Sequence, residues 1–318
     1  MSELVSIAMP IYNNAQTLAP CLRSLVGQTY SDFELLLIDD GSTDGSLEIV
    51  HSFDDSRIRI IVNNENLGLP TRLNQAIEQA RGSLIARMDG DDIAYPDRLR
   101  MQVDYLMTHS NVDVVAGRVV IFNASGEIVG GTIAPHEDHE SVCQRPWVAF
   151  NSMLHPTWMG RREWFLKHRY RSQFKKAQDR DILLRSFRSS RFACLGECVL
   201  GYRQETLSLS KIFRSRYYLG RALAEQAVRG FDLPLALGPI NQSLKAGVDA
   251  FAVLTGLRYR LLKHRAMPVP ETEQQRWREI WQRVTCPEMA DNSLMAPRLS
   301  SRGPANGVAG PQSRKDAA

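Results

Sequence analysis

Cysteine is scarce in this chain: five in 318 residues, an odd count, with Cys194 and Cys198 as the one close pair. No Cys/His set repeats at zinc-ligand spacing, which excludes a zinc site and a disulfide framework. All five read as free thiols used for packing, as suits a reducing compartment. Long apolar runs are missing as well. The most apolar window, 233–257, is broken by Asn241, Gln242, Lys245 and Asp249. It lacks the roughly 20 clean apolar residues that a membrane span needs. Met1-Ser2-Glu3 leads straight into a strand-like run with no basic stretch before it, so no secretory signal is expected. Neither Gly-x-x-x-x-Gly-Lys-Ser/Thr nor Gly-x-Gly-x-x-Gly occurs, which weighs against ordinary ATPases and dinucleotide enzymes.

Lysine is absent from residues 1–140, which carry nine arginines against 21 acidic residues. Residues 141–318 carry 30 basic and 14 acidic residues, and the whole chain is at +4. An acidic half suits a cation, and a basic half suits phosphate groups or an anionic membrane surface. The plainer reading is two solvated surfaces of opposite sign. Nucleic acid is disfavoured as a partner, because the better organised half is acidic. With 43% hydrophobic and 23% charged residues, composition is that of a globular chain. Its length suggests two domains at about 150 residues each, or one large domain with appendages.

Strands and helices alternate in the first half. Strands are expected at 5–9, 33–38, 58–62, 84–88, 112–115 and 119–122. Helices are expected at 15–28, 43–53, 67–80 and 96–109, the last opened by Pro96. Continuous apolar strands between helices imply a parallel sheet covered on both faces. Ligands in such sheets bind at the carboxyl ends of the strands, where the strand order reverses. From 213 to 265 the pattern is helical and basic, and a further helix is expected over 271–284. From 288 onward Ser, Pro, Gly, Ala and Asn dominate, which predicts a disordered tail.

Polar clusters sit at the expected strand ends. Asp89-Gly90-Asp91-Asp92 puts three carboxylates into four residues, where they repel one another unless solvent or a cation offsets the charge. Mg²⁺ and Mn²⁺ prefer such oxygen ligands and join carboxylates to substrate phosphates. A polar turn is the competing reading. Asp39-Asp40-Gly41-Ser42-Thr43-Asp44 ends another strand, with Gly41 permitting a tight turn and Ser42 or Thr43 available as a helix cap. Capping leaves the two adjacent acids unexplained. A carboxylate there could accept hydrogen bonds from a nucleobase N–H or a ribose hydroxyl.

These runs together resemble the family 2 inverting glycosyltransferases of GT-A fold. The resemblance rests on Ser6-Ile7-Ala8-Met9-Pro10-Ile11-Tyr12-Asn13, on Gln28 to Glu34, on Asp39 to Asp44, on Arg87-Met88-Asp89-Gly90-Asp91-Asp92 and on Pro96-Asp97-Arg98-Leu99. It covers residues 4 to about 205, in order and spacing. It implies an α/β GT-A (Rossmann-like) fold, with a mixed, mainly parallel sheet, helices on both faces and a helical C-terminal extension. By resemblance, 1–110 binds a nucleotide-sugar, usually a UDP-sugar, and 111–212 holds the acceptor and the catalytic base. The basic helical extension is then 213–287 and the tail 288–318. Pro10 and Tyr12 would line the base and ribose pocket, and Asp40 would meet uracil with Asp39 close by. Asp92 would bind Mn²⁺ or Mg²⁺ directly, Asp91 would contact ribose or metal, and Asp89 would lie beside them. Arg72 and Arg87 either approach the diphosphate or the sugar, or form salt bridges with the acidic rim.

In Gln178-Asp179-Arg180-Asp181, Asp179 matches the family's base, and Asp181 fits an acid that favours a helix N-terminus. His155-Pro156-Thr157-Trp158 resembles the acceptor-side segment. His155 would bind diphosphate or acceptor, Trp158 would stack on a sugar, and Trp147 is a further stacking candidate. Processive synthases of the family carry Gln-x-x-Arg-Trp and membrane spans. Here Glu stands at 273 before Arg276-Trp277, far past the catalytic domain in sequence, which points to single addition. The resemblance thus implies a cytoplasmic enzyme of surface-polysaccharide synthesis, adding one sugar to a glycan or lipid-diphosphate-linked acceptor. The basic segment 213–265 is a candidate for peripheral contact with an anionic membrane, or else for a dimer contact or a lid. A sugar nucleotidyltransferase would need a triphosphate loop that is absent. A non-catalytic nucleotide-sugar-binding scaffold would have no need of both Asp92 and Asp179.

Overall fold

Strands β1 (Val5–Ile11) and β2 (Phe33–Asp40) are buried at every position, which is why they read as unbroken apolar runs. The computed structural model describes residues 3–132, 134–146, 150–204, 209–255 and 267–286. Trp147, part of the basic segment 213–265 and the tail from 288 lie outside the described residues.

Between and after those strands come α1 (Ala15–Val26), α2 (Ser46–His51), β3 (Ile58–Asn63), α3 (Leu69–Gln79), β4 (Leu84–Arg87), β5 (Ile93–Ala94) and α4 (Arg98–Thr108). The chain continues through β6 (Val114–Phe122), β7 (Ile128–Gly131), α5 (His139–Cys143), β8 (Met159–Arg161), α6 (Arg162–Lys167), α7 (Gln178–Ser186) and β9 (Phe192–Arg203). Helices α8 (Leu209–Gly230), α9 (Leu233–Ala236), α10 (Gly238–Leu254) and α11 (Glu271–Thr285) follow.

The sheet order is β3-β2-β1-β4-β8-β6-β9-β5, with β7 on β6. The first four strands are parallel neighbours. Antiparallel strands then enter at β8, β7 and β5, while β6 and β9 run parallel. The sheet is therefore mixed, as expected. Strand order reverses between β1 and β4, the point at which such sheets bind their ligands.

Side chains alternate across β1. Val5, Ile7, Met9 and Ile11 meet Leu18, Leu22 and Leu25 of α1 and Leu99 and Val103 of α4. Ala8 belongs to the opposite core with Leu73, Ala76 and Ile77 of α3 and Ile182 and Leu183 of α7. The two short strands expected at 112–115 and 119–122 are one continuous strand, β6. Its pairing with β9 shifts register on either side of Arg118. Gly117 makes this close: a Cβ there would lie 2.6 Å from Val199. All five cysteines are free.

The C-terminal helices are not remote from the sheet. Ala222, Leu223 and Ala227 of α8 enter the second core. Helix α11 covers a third core, where Trp277 packs 4.7 Å from Phe122 and donates Nε1–H to Gly126 O at 2.8 Å. A Cβ on Gly201 would stand 2.1 Å from the Trp277 ring, so only glycine admits that tryptophan. Arg276-Trp277 was expected far beyond the catalytic domain. The fold instead brings it back onto the sheet, because an apolar face of Trp277, Ile280 and Val284 needs burial.

Candidate active site

Three loops at the carboxyl ends of β1, β2 and β4 interlock through short polar side chains. Asn13, at φ 52°, donates its N–H to Ser42 Oγ at 3.0 Å and accepts Thr43 N–H on Oδ1 at 2.8 Å. Asp44 accepts Ala15 N–H at 2.9 Å and Ser46 N–H at 3.0 Å. Asp44 thus does at the start of α2 what Ser42 or Thr43 was expected to do. Thr17 donates to Gly90 O at 3.0 Å, and a Cβ on Gly90 would meet the Asn14 amide at 3.0 Å.

The carboxylate oxygens of Asp89, Asp91 and Asp92 come within 4.8 Å of one another. Asp92 is 1% exposed. Its Oδ1 accepts the Arg203 N–H at 2.9 Å, while Oδ2 is buried and has no hydrogen-bond partner among the described residues. Burial, then the neighbouring charges of Asp89 and Asp91, holds its carboxyl well above the usual carboxylate range. A buried oxygen without a donor, inside a set of three hard oxygen ligands, fits a divalent cation. No other group of three acidic, His or Cys side chains among the described residues has this geometry.

The arginines form salt bridges with this rim. Arg87, buried at the end of β4, pairs with Asp89. Arg72 donates Nε–H to Asp40 at 2.6 Å, Nη1 to Gln75 at 3.0 Å and Nη2 to Glu65 O at 2.5 Å. Asp40 also accepts the N–H groups of Leu67 and Gly68, each at 2.9 Å, so it clamps the start of α3. Asp39 is buried and accepts Ser42 N–H at 3.2 Å, closing the turn at Gly41, whose φ is +80°. Pro10 is buried within β1, and Tyr12, 47% exposed, stands at its open end.

A cleft of about 730 Å³ is lined by His155, Asp179, Arg180 and Tyr202, and by Arg216 and Lys245 from the C-terminal helices. Asp179 lies in the first turn of α7, with Arg180 Nε at 3.3 Å. Asp181, two residues on, is fully buried and accepts from Arg171 at 2.9 Å and Arg185 at 3.0 Å. His155 bonds Tyr170 Oη at 2.8 Å. Burial, helped by Arg87 and Arg180, holds its imidazole well below its usual value, so it is neutral at pH 7.

Trp158 corrects an expectation. It is 0% exposed, packed edge-on against His155 at 4.8 Å and Trp164 at 6.5 Å. A side chain so enclosed cannot stack on a sugar, and Trp158 is a core residue. Two site residues escaped the sequence reading. Arg203 supplies its N–H to Asp92 and donates Nε–H to Asp91 O at 2.9 Å. Tyr202 lines the Asp179 cleft, and after burial the charge of Asp92 is the next cause raising its phenol. Both end β9, 111 residues from Asp92 in the case of Arg203, and no local motif marks them.

Residues 6–183 match the family described as Glycosyl transferase family 2. EpsE of Bacillus subtilis is 34% identical over 243 residues, which are 73% of this chain and 84% of that protein. WfgD of Escherichia coli is 38% identical over 134 residues, 42% of this chain and 52% of that protein. Among solved structures, residues 1–349 of S. aureus TarS in complex with UDP-GlcNAc match with a TM-score of 0.59 at 19% identity, covering 92% of this chain and 83% of that one. That likeness extends the shared fold across the sheet and the C-terminal helices. A family match over more than half of the chain, on a GT-A sheet with an acidic cluster at its switch point, makes this protein a member of glycosyl transferase family 2.

Proposed function

We propose that this glycosyltransferase is inverting and metal-dependent, and that it adds a single sugar from a UDP-sugar to a glycan or lipid-diphosphate-linked acceptor in surface-polysaccharide synthesis. Its workplace is the cytoplasm, at the inner face of the membrane. The observation that carries the reading is the buried Oδ2 of Asp92, which has no hydrogen-bond partner among the described residues, inside the three-carboxylate cluster. The name of WfgD, which specifies UDP-Glc and a diphosphoundecaprenol-linked acceptor, supports the donor and acceptor classes. So does Lys245, a basic side chain lining the Asp179 cleft.

Asp92 would hold Mn²⁺ or Mg²⁺, with Asp91 shared between metal and ribose and Asp89 on the donor side. When bound, the cation supplies positive charge against the diphosphate that leaves. Tyr12 flanks the nucleotide. Arg72 and Asp40 hold the loop that borders it, and Asp39 holds the turn. Asp179 accepts the proton of the acceptor hydroxyl as that oxygen bonds to the anomeric carbon. The sugar–phosphate bond breaks on the opposite face, so configuration inverts in one step. His155, kept neutral, is an acceptor-side hydrogen-bonding group rather than a cation.

Thermal-shift titration with UDP, GDP, TDP and CDP, each with Mn²⁺ or chelator, tests this. A ligand at 100 times its dissociation constant stabilises by about 2.7 kcal/mol. The expected result is a shift with UDP alone, lost on chelation and lost in Asp92→Ala. An unchanged, metal-dependent shift in Asp92→Ala would remove the metal assignment. No shift with any nucleotide would favour a non-catalytic scaffold.

A further inference from the structure

Helix α10 is inside out. The side packed against α8 carries Gln242 and Asp249, both buried, which accept from Arg216 at 2.9 and 2.8 Å. The outward side carries Ile240, Leu244, Val248, Phe251 and Leu254, with Leu237 just before the helix, and these are 55–80% exposed. Their spacing of three and four residues makes one stripe along the helix. Of the nineteen large apolar side chains exposed among the described residues, eleven lie between Phe213 and Leu254. Single exposed apolar residues are ordinary, but a contiguous stripe marks a surface that something covers.

Charge selects the occupant. The acids of the described α8–α10 region, Glu225, Asp232 and Asp249, are all held in ion pairs with arginines. Arg214 and Arg229 are exposed on the same helical unit. The eleven residues that follow in sequence, 256–266, add four Lys/Arg and no acid. A second copy of this chain would set that positive charge against itself, whereas anionic headgroups complement it. No described helix is long and apolar enough to cross a membrane, so contact would be interfacial. Gln242 and Lys245, away from the stripe, line the cleft that holds Asp179.

We propose that the outward face of α10 seats in the headgroup region of an anionic lipid bilayer. The proposal deepens the lipid-linked acceptor reading above and rests on it. Flotation of the full chain with vesicles of phosphatidylcholine alone, or mixed with phosphatidylglycerol, tests the surface directly. The chain should partition onto the mixed vesicles, less so as salt rises. Leu244→Gln with Phe251→Gln should weaken partition by at least about tenfold, because each removes a side chain whose apolar burial would drive insertion. Both side chains are exposed, so the double variant should keep the parent's nucleotide-induced thermal shift. Absence of partition onto either vesicle would overturn the proposal. So would partition unchanged in the double variant, or a parent dimer in solution that the double variant converts to monomer. Nucleotide binding that fails while vesicle binding persists would strike the donor site and leave this surface standing.

Discussion

Asp179 and Asp181 stand two residues apart and do opposite work. A helix turns by about 100° per residue, so the two side chains point to opposite sides of α7. Asp181 faces the core, where burial is tolerable because Arg171 and Arg185 neutralise it. Asp179 lines the cleft beside Arg180, and the base role is the one proposed for it above. Asp179→Asn should keep the UDP-induced thermal shift and lower transfer by at least about a hundredfold, the usual contribution of a positioned base. Steady-state transfer to an acceptor analogue, measured beside the thermal shift, checks both halves, and parental turnover by the variant would refute the assignment. Trp158 shows how residue type can mislead. A tryptophan beside a histidine suits sugar stacking and core packing equally well, and only burial distinguishes the two.

The strand-end loops and α11 show what whole elements contribute. The loops after β1, β2 and β4 bond to one another through Asn13, Thr17, Ser42 and Asp44, so the acidic cluster sits on a braced rim. Helix α11 reaches the same site from far along the chain. Its Trp281 and the Phe122 of β6 flank Arg203, with guanidinium-to-ring distances of 5.9 and 4.7 Å. Arg203 in turn supports Asp91 and Asp92. Trp277→Ala should therefore cost about 3–5 kcal/mol, the usual cavity cost for a buried tryptophan. It should also weaken metal-dependent UDP binding, although Trp277 is enclosed in the third core. Urea unfolding would read the first effect and a UDP titration with Mn²⁺ the second. A stability loss below about 1 kcal/mol would mean that α11 is only loosely attached.

Acidity acts on the molecule as a whole. His155 has a folded pKa below its unfolded value near 6.5, so the unfolded chain takes up the extra proton below that pH. Its contribution to stability is intact above about pH 6.5 and is lost as pH falls toward the depressed folded value. Unfolding free energies of the parent and of His155→Gln, measured from pH 7.5 down to about pH 5, should diverge with the parent falling faster. Parallel curves would mean that the imidazole is accessible to solvent and titrates normally.

Much of this protein is determined locally, and that part was legible in the sequence. Apolar periodicity marked β1 to β4 and the helices between them, because a strand buried on both faces must be continuously apolar. The acidic cluster and the paired acids of α7 were legible too, since their geometry is set within a turn or two of chain. The tertiary structure alone decided which charges cancel and which side chains are enclosed. Arg72 meets Asp40 across 32 residues, Arg203 meets Asp92 across 111, and Gly201 leaves room for Trp277. It also turned the apolar side of α10 outward, by giving its inner side to the Arg216–Asp249 pair. Burial and pairing are properties of surfaces that meet only after folding, so the sequence can nominate such residues and only packing assigns them.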